Sequence, residues 1–258
     1  MKKKIFIIIG ILILIIVTYL FVTGEIPWTT IKVGVRTDVA GFSAYNEDAN
    51  TFYGLEVDLA KELAGRLGYS IVEYVPVDVD NREAKLDNGK VDCLISCYTR
   101  TDEREEKYHL SKSYFDDSMY IVACSSTLFS SVSDLTGVRV GCVNSSAAEK
   151  ALDEVLFENG VNYYIKLGYD SYDELIEDIN SGAVDAAMMD GSRIADGMEN
   201  DWVLLSGVSV KSEYCIVTPK NSELSEAIDD ELQNIIDDGT MAKIVDKWID
   251  EDVYEIWK

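Results

Sequence analysis

The stretch GLEVDLAKELAGRLGY, residues 54–69, decides the fold class. Its leucines recur at every fourth position, which is the spacing of one apolar face of an α-helix. Apolar runs typical of strands lie on either side, IKVGVR at 31–36 and SIVEYVPV at 70–77. A shorter helical segment and the strand VDCLIS at 91–96 follow. The order strand, helix, strand, helix, strand predicts an α/β fold in which helices cover a parallel sheet.

A similar pattern occurs further along the chain. LDNGKVDCLIS at 86–96 and INSGAVDAAMM at 179–189 both run from a helix end through a glycine and Val-Asp into an apolar strand. This echo suggests two related lobes, although unrelated α/β segments can share the pattern by chance. After the strand EYCIVTPK at 213–220, two terminal helices divided at Gly239 complete the predicted order.

The first 24 residues are separate from this pattern. MKKK is followed by IFIIIGILILIIVTYLFV, residues 5–22, which carry no charge. That length is enough to cross a bilayer, so we predict a signal anchor, a transmembrane helix, over 1–24 with the lysines on the cytoplasmic side. The rest of the chain then lies on the extracellular face of the cytoplasmic membrane. Cleavage near Gly24, which would release a secreted protein, remains an alternative.

The composition limits the class of protein. The chain has 258 residues, enough for two lobes with hydrophobic cores, and 47% of them are apolar. With 23 Lys and Arg against 47 Asp and Glu, the formal net charge is −24. This charge repels phosphate backbones, and no basic stripe follows residue 4, so nucleic acid is excluded as a partner.

The cysteine and histidine pattern gives no sign of a metal or cofactor. The five cysteines occur in apolar runs without a CxxC pair and are expected to be buried thiols. A disulfide between Cys142 and Cys215 remains open at this point. The single histidine, His109, lacks a neighbour at ligand spacing, so we predict no metal site and no cofactor.

Polar residues follow the predicted strands. They come after IKVGV, VDCLIS, VRVGCV and AVDAAMM, and include Arg36, Thr99, Ser146 and Asp190. In open α/β sheets the ligand binds outside the carboxyl ends of the strands. Two lobes that face each other across such ends would form a cleft, and we expect the ligand there.

Five segments in order carry a family resemblance: VGVRTDVAGFS, GLEVDLAKELAGRLGY, DNREAKLDNGKVD, TRTDEREEKYHLSKSYF and GAVDAAMMD. From Thr30 to Ile249 the chain resembles the extracellular solute-binding proteins of amino-acid ABC transporters, family 3, and most closely the aspartate- and glutamate-binding members. The resemblance implies the two-lobed type II periplasmic-binding-protein fold with a hinge. Lobe 1 would comprise 29–115 and 216–258, and lobe 2 would comprise 116–215. The hinge strands would be SYFDDSMY and VKSEYCIV.

The resemblance also implies ligand-binding residues. Thr99 and Arg104, in the pattern T-x-T-x-x-E-R, would hold the α-carboxylate of an amino acid. A guanidinium suits this role because its planar fork matches a carboxylate with two hydrogen bonds. Asp190 would hold the α-ammonium, and Ser146 would reach the α-carboxylate from the second lobe.

Two further arginines bear on the ligand side chain. Arg36 and Arg82 match positions at which relatives that bind aspartate or glutamate carry cations. Val79 agrees with this, because many other relatives place an aromatic residue there to enclose a neutral or basic side chain. Weaker candidates that would also line the cleft are Cys97, Tyr172 and Phe52, and packing in the core is the alternative for the two aromatic residues.

We therefore expect a membrane-tethered, monomeric, non-enzymatic receptor that closes on aspartate or glutamate and passes it to an ABC permease. One alternative is a ligand-sensing subunit for a signalling partner. The other is a dehydratase or lyase on the same fold, with Asp38, Glu56 or Glu83 as its acid or base.

Overall fold

The computed structural model describes residues 29–196 and 201–249. Its strands are β1 Thr30–Val35, β2 Asp38–Val39, β3 Ser43–Asn46, β4 Thr51–Tyr53, β5 Ile71–Pro76, β6 Cys93–Leu94, β7 Tyr108–Cys124, β8 Arg139–Val143, β9 Ile165–Tyr169, β10 Ala186–Asp190, β11 Trp202–Leu204 and β12 Val210–Pro219. Its α-helices are α1 Leu55–Arg66, α2 Arg82–Asp87, α3 Asp102–Lys107, α4 Ala147–Glu158, α5 Tyr172–Ser181, α6 Gly191–Asp196, α7 Leu224–Asp237 and α8 Thr240–Trp248. Two short 3₁₀ turns, Ser125–Thr127 and Val132–Leu135, lie between β7 and β8.

Helix α1 is the helix predicted from its leucine spacing. Leu55, Leu59 and Leu63 are all buried and pack against β1 and the terminal helices. Helix α1 is preceded by Gly54, whose φ of 127° is readily adopted by glycine but rarely by other residues. A Cβ atom at that position would lie 2.2 Å from the carbonyl oxygen of Phe42, so a side chain is excluded as well.

The large sheet is mixed and not simply parallel. Its order is β5-β1-β6-β12-β7-β10-β8-β9, with β11 also paired to β7. The outer pairs β1–β5 and β8–β9 are parallel, as predicted. The central strands β7 and β12 are antiparallel to each other, and β10 is antiparallel to β7. The parallel arrangement predicted for the first strand-helix-strand-helix-strand unit is confirmed for β1, β5 and β6. The antiparallel pairs occur at the two long strands that cross between the lobes.

The hydrophobic cores lie on either side of these crossing strands. One core contains α1, β1, α7 and α8, and a second group of clusters contains β8, α4, α5 and β10. This is the two-lobed α/β architecture expected. The proposed lobe boundaries, 29–115 with 216–258 and 116–215, stay a prediction. Gly239, at φ 75°, divides α7 from α8 as predicted.

Two expectations about the rest of the chain can be compared with the structure. All five cysteines are free, so the Cys142–Cys215 disulfide is not formed. No helix within 29–196 and 201–249 is long and apolar enough to span a bilayer. The predicted anchor at 5–22 lies outside the described residues.

Candidate functional site

A narrow cavity lies between the two lobes, at the carboxyl ends of β1, β6 and β10. This is the position that the strand order predicts for a ligand. The lining side chains come from both lobes: Arg36, Val39, Val79, Arg82, Cys97, Thr99 and Tyr214 on one side or along the crossing strands, and Ser146, Ala147, Tyr172, Asp190 and Arg193 on the other. Most of the predicted site residues are therefore brought together.

Two guanidinium groups stack on one tyrosine ring beside this cavity. The Cζ atoms of Arg82 and Arg104 lie 4.5 and 4.1 Å from the ring centroid of Tyr98. Arg82 Nη1 donates to the carbonyl oxygen of Ser96 at 2.9 Å, and Arg104 Nη1 donates to the carbonyl oxygen of Thr99 at 2.8 Å. Backbone and ring contacts thus fix the orientation of both arginines.

Neither guanidinium is bound to a carboxylate in the described part of the chain, although the charges of Arg104 and Glu83 act on each other. Within the described residues, Arg82 and Arg104 form no ion pair with an Asp or Glu carboxylate, although both are at least 96% buried. Their Nε atoms are buried without a hydrogen-bond partner, and so is the Oγ atom of Ser96. Arg82 lines the cavity, whereas Arg104 stacks on the same tyrosine ring without lining it. Buried cations are normally paired, so the end of the cavity at Arg82 is the part that best suits an anion.

The pKa of Arg82 is also affected by its burial without a bound carboxylate. Burial, followed by the positive charges of Arg104 and Arg36, lowers the pKa of Arg82 to about 10. Arg82 is still protonated at neutral pH, but its charge is destabilised. A carboxylate that enters the cavity would relieve this repulsion.

Arg36 differs from these two arginines because it already has a partner. Its Nε and Nη2 atoms donate to the two carboxylate oxygens of Asp38, at 2.8 and 2.5 Å. Burial opposes the charge on Arg36, but the bond to Asp38 keeps its pKa raised overall. Two of its donors are thus committed inside the protein, which leaves Arg36 less able than Arg82 to bind a ligand carboxylate.

A chain of hydrogen bonds connects Thr99 to Asp190, the acidic residue of the cavity wall. Thr99 Oγ1 lies 2.9 Å from Ser212 Oγ, which donates to Asp190 at 3.0 Å. The hydroxyl of Tyr172 donates to the other oxygen of Asp190, also at 3.0 Å. Burial, and then the charge of Asp117, raises the pKa of Asp190 to about 6. A ligand ammonium here would favour the charged form of this carboxylate.

The remaining predicted residues have different surroundings. Ser146 caps α4: its Oγ accepts from the amide of Glu149 and donates to the carbonyl oxygen of Val143 at 2.6 Å. Cys97 lines the cavity in a left-handed conformation, φ 48°, and burial raises the pKa of its thiol well above the usual value. Phe52 is not brought to the site, because it packs against Tyr45 and Tyr74.

The sequence of the chain matches one protein family over nearly its whole length. The family model of bacterial extracellular solute-binding proteins, family 3, matches residues 31–251. The chain belongs to this family. The cleft between its lobes is therefore the expected place for a solute.

Curated relatives and solved structures agree with this assignment. The solute-binding protein is 28% identical to the histidine-binding periplasmic protein of Escherichia coli K12 over 236 residues, 87% of this chain and 89% of the relative. It is 29% identical to the ABC transporter glutamine-binding protein of Bacillus subtilis, with 86% and 82% covered. It is 31% identical to an ancestral arginine-binding protein solved with glutamine, with a TM-score of 0.75 and 85% and 97% covered. These proteins are named for binding and not for catalysis.

Four residues of the solute-binding protein's candidate site were not predicted from the sequence. Tyr98 forms the platform for two arginines, Ser212 and Tyr214 come from β12, and Arg193 reaches the cavity from α6. Tyr98 stands directly before Thr99 in the motif, and this position was the available signal. The other three follow from long-range contacts that no local pattern reports.

The three residues proposed as acid or base in the enzymatic alternative all form hydrogen bonds or ion pairs within the protein. Asp38 binds Arg36. Glu56 is buried and accepts hydrogen bonds from Ser43 Oγ and the amide of Cys97, each at 2.5 Å. Glu83 accepts from the Tyr98 hydroxyl at 2.8 Å and pairs with Lys107 at 3.0 Å. Their interactions stabilise the fold, and none of the three lines the cavity.

Proposed function

We propose that this solute-binding protein captures an acidic amino acid, aspartate or glutamate, by closing its two lobes around it. It then delivers the ligand to an ABC permease. The observation that carries the proposal is the pair Arg82 and Arg104, two buried guanidinium groups on Tyr98 that have no carboxylate partner among the described residues.

The charges in the cavity suit a ligand with two carboxylates and one ammonium. With Arg36 largely neutralised by Asp38, Arg82 and Arg104 each remain for one carboxylate. Asp190, with its raised pKa, remains for the ammonium. In this arrangement Arg104 and Thr99 bind the α-carboxylate and Arg82 binds the side-chain carboxylate. Such pairs are charge-assisted and specific in orientation.

The relatives support an amino-acid ligand more broadly than they support an acidic one. They are named for histidine, glutamine and arginine. The acidic preference rests on the unpaired arginines and on Val79, a small residue in the cavity wall. Delivery to a permease is supported by the relative that is named as part of an ABC transporter. We further propose that the protein acts as a monomer tethered by residues 5–22.

Calorimetry of the full chain in detergent tests the proposal. We expect aspartate or glutamate to bind at least about tenfold more tightly than glutamine, because glutamine leaves a buried guanidinium without its anion. Failure of every amino acid to bind would refute the transport function. Tighter binding of arginine or histidine would refute the acidic preference alone.

The variant Arg82→Gln tests the role of the side-chain arginine. We expect it to weaken glutamate binding about 30-fold or more and to change glutamine binding by less than about threefold, since a charge-assisted bond is lost only with glutamate. The matched control is Arg139→Gln, which removes a half-buried arginine that is paired with Asp185 and does not line the cavity. If Arg82→Gln weakens the binding of glutamate and glutamine equally, Arg82 does not distinguish between the side chains of the two ligands.

A further inference from the structure

Arg193 connects the two lobes directly. It lies on α6 in lobe 2, is 3% exposed, and its Nη1 atom donates to the main-chain carbonyl oxygen of Asp38 at 2.7 Å. Asp38 belongs to β2, in lobe 1. The guanidinium also lies over the ring of Tyr172, with 4.8 Å from Cζ to the ring centroid. A part-buried hydrogen bond thus joins residues that are 155 positions apart in sequence.

The acceptor residue has a second role in the same site. While the carbonyl of Asp38 accepts from Arg193, its carboxylate binds Arg36 with two hydrogen bonds. Arg36 lies over the same tyrosine as Arg193, with its Cζ atom 5.7 Å from the ring centroid of Tyr172. Fixing the backbone of Asp38 therefore also fixes the position of Arg36 in the cavity wall.

We propose that Arg193 is a latch that stabilises the closed state through the carbonyl of Asp38 and positions Arg36, and that it does not itself recognise the charge of the ligand. The inference rests on the hinge closure proposed above. A contact between the lobes can form only when they are closed, so it favours closure whichever ligand occupies the cavity. Its loss should shorten the life of the closed complex and leave the first encounter with the ligand unchanged.

The chain offers a matched control on the surface. Lys150 of α4 in lobe 2 forms an ion pair with Glu103 of α3 in lobe 1. Like the latch, this contact joins the lobes, but its side chains are 46% and 74% exposed. An exposed ion pair contributes little free energy, whereas a buried charge-assisted hydrogen bond contributes considerably more. The two contacts therefore separate the effect of burial from the effect of bridging the lobes.

The experiment uses the full chain and its variants Arg193→Ala, Arg193→Lys and Lys150→Ala. Stopped-flow tryptophan fluorescence gives the association and dissociation rates of glutamate and glutamine. For Arg193→Ala we expect dissociation of both ligands to accelerate about tenfold or more, with association within about twofold of the unmodified protein. Arg193→Lys keeps the charge and can still donate hydrogen bonds, but it loses the planar fork of the guanidinium. Its dissociation rates should lie between those of Arg193→Ala and those of the unmodified protein. Lys150→Ala should change dissociation by less than about threefold.

Hydrogen exchange of residues 36–43 provides a second readout, with and without ligand. Faster exchange in Arg193→Ala, but not in Lys150→Ala, is expected if the latch holds this segment. Unchanged dissociation rates together with unchanged exchange would overturn the latch. So would a loss confined to glutamate that Arg193→Lys restores completely, since Arg193 would then act through its charge on the ligand. If the unmodified protein binds no amino acid, the proposed function fails, and exchange of the ligand-free chain still decides the latch.

Discussion

Replacing Arg104 by glutamine is expected to abolish measurable binding of every amino acid, with affinity falling about 100-fold or more. In the proposed arrangement Arg104 binds the carboxylate that all amino acids share, and truncating one partner of a buried charge pair typically costs about 2–5 kcal/mol. Glutamine cannot replace the two parallel bonds of a guanidinium. Calorimetry with glutamate, aspartate and glutamine measures the loss.

The same substitution should stabilise the ligand-free protein. Arg82 and Arg104 are buried close together, and the charge of Arg104 contributes to the lowered pKa of Arg82. Removing one of two like charges relieves that repulsion, so the melting temperature of Arg104→Gln should rise or stay the same. This outcome excludes misfolding as the reason for lost binding. Retention of glutamate affinity within about threefold would mean that Arg104 is a structural residue.

The fold could be predicted where the controlling interactions are local. The leucine spacing of α1 and the glycine that divides α7 from α8 are readable in short windows, and both predictions are confirmed. The mixed character of the sheet could not be read in this way. It arises from the pairing of β7 with β12, whose partners Met119 and Val210 are far apart in the chain. Apolar alternation identifies a strand but not the direction of its neighbour.

The candidate site shows the same limit at the level of side chains. Residue type and motif position placed Arg82, Thr99 and Asp190 at the cavity. The pairing of each charge could not be predicted in this way: Arg36 was expected to provide a cation for the ligand side chain, and its bond to Asp38 appears only in the structure. Phe52 was a weaker candidate for the cleft, with packing in the core as the alternative, and its contacts with Tyr45 and Tyr74 agree with that alternative.

The second large effect is expected from Asp190→Asn, which should weaken binding of all amino acids about 100-fold while it stabilises the ligand-free protein. An amide cannot neutralise a buried ammonium, so the affinity falls. The carboxylate of Asp190 is itself unfavourable without a ligand, because burial and Asp117 raise its pKa from 3.8 to about 6. That difference corresponds to roughly 3 kcal/mol at neutral pH. Calorimetry and thermal unfolding measure the two effects, and Asp117→Asn serves as the neighbouring control.

The pH dependence of the unmodified protein should show these two effects with opposite signs. A carboxyl group whose pKa is higher in the folded state binds its proton more tightly when folded. Its contribution to the unfolding free energy is therefore complete below about pH 4 and is lost as the pH rises through about 6.

Ligand affinity should change in the opposite direction and fall as the pH drops through 6, because protonated Asp190 has no charge for the ammonium. The other charged or titratable groups that act on Asp190 include Asp117, Tyr172, Arg193, Tyr214 and Cys97. Asp190→Asn should flatten both curves between pH 4 and 7. A glutamate affinity that stays constant from pH 7 to 5 in the unmodified protein would show that Asp190 does not carry the ammonium.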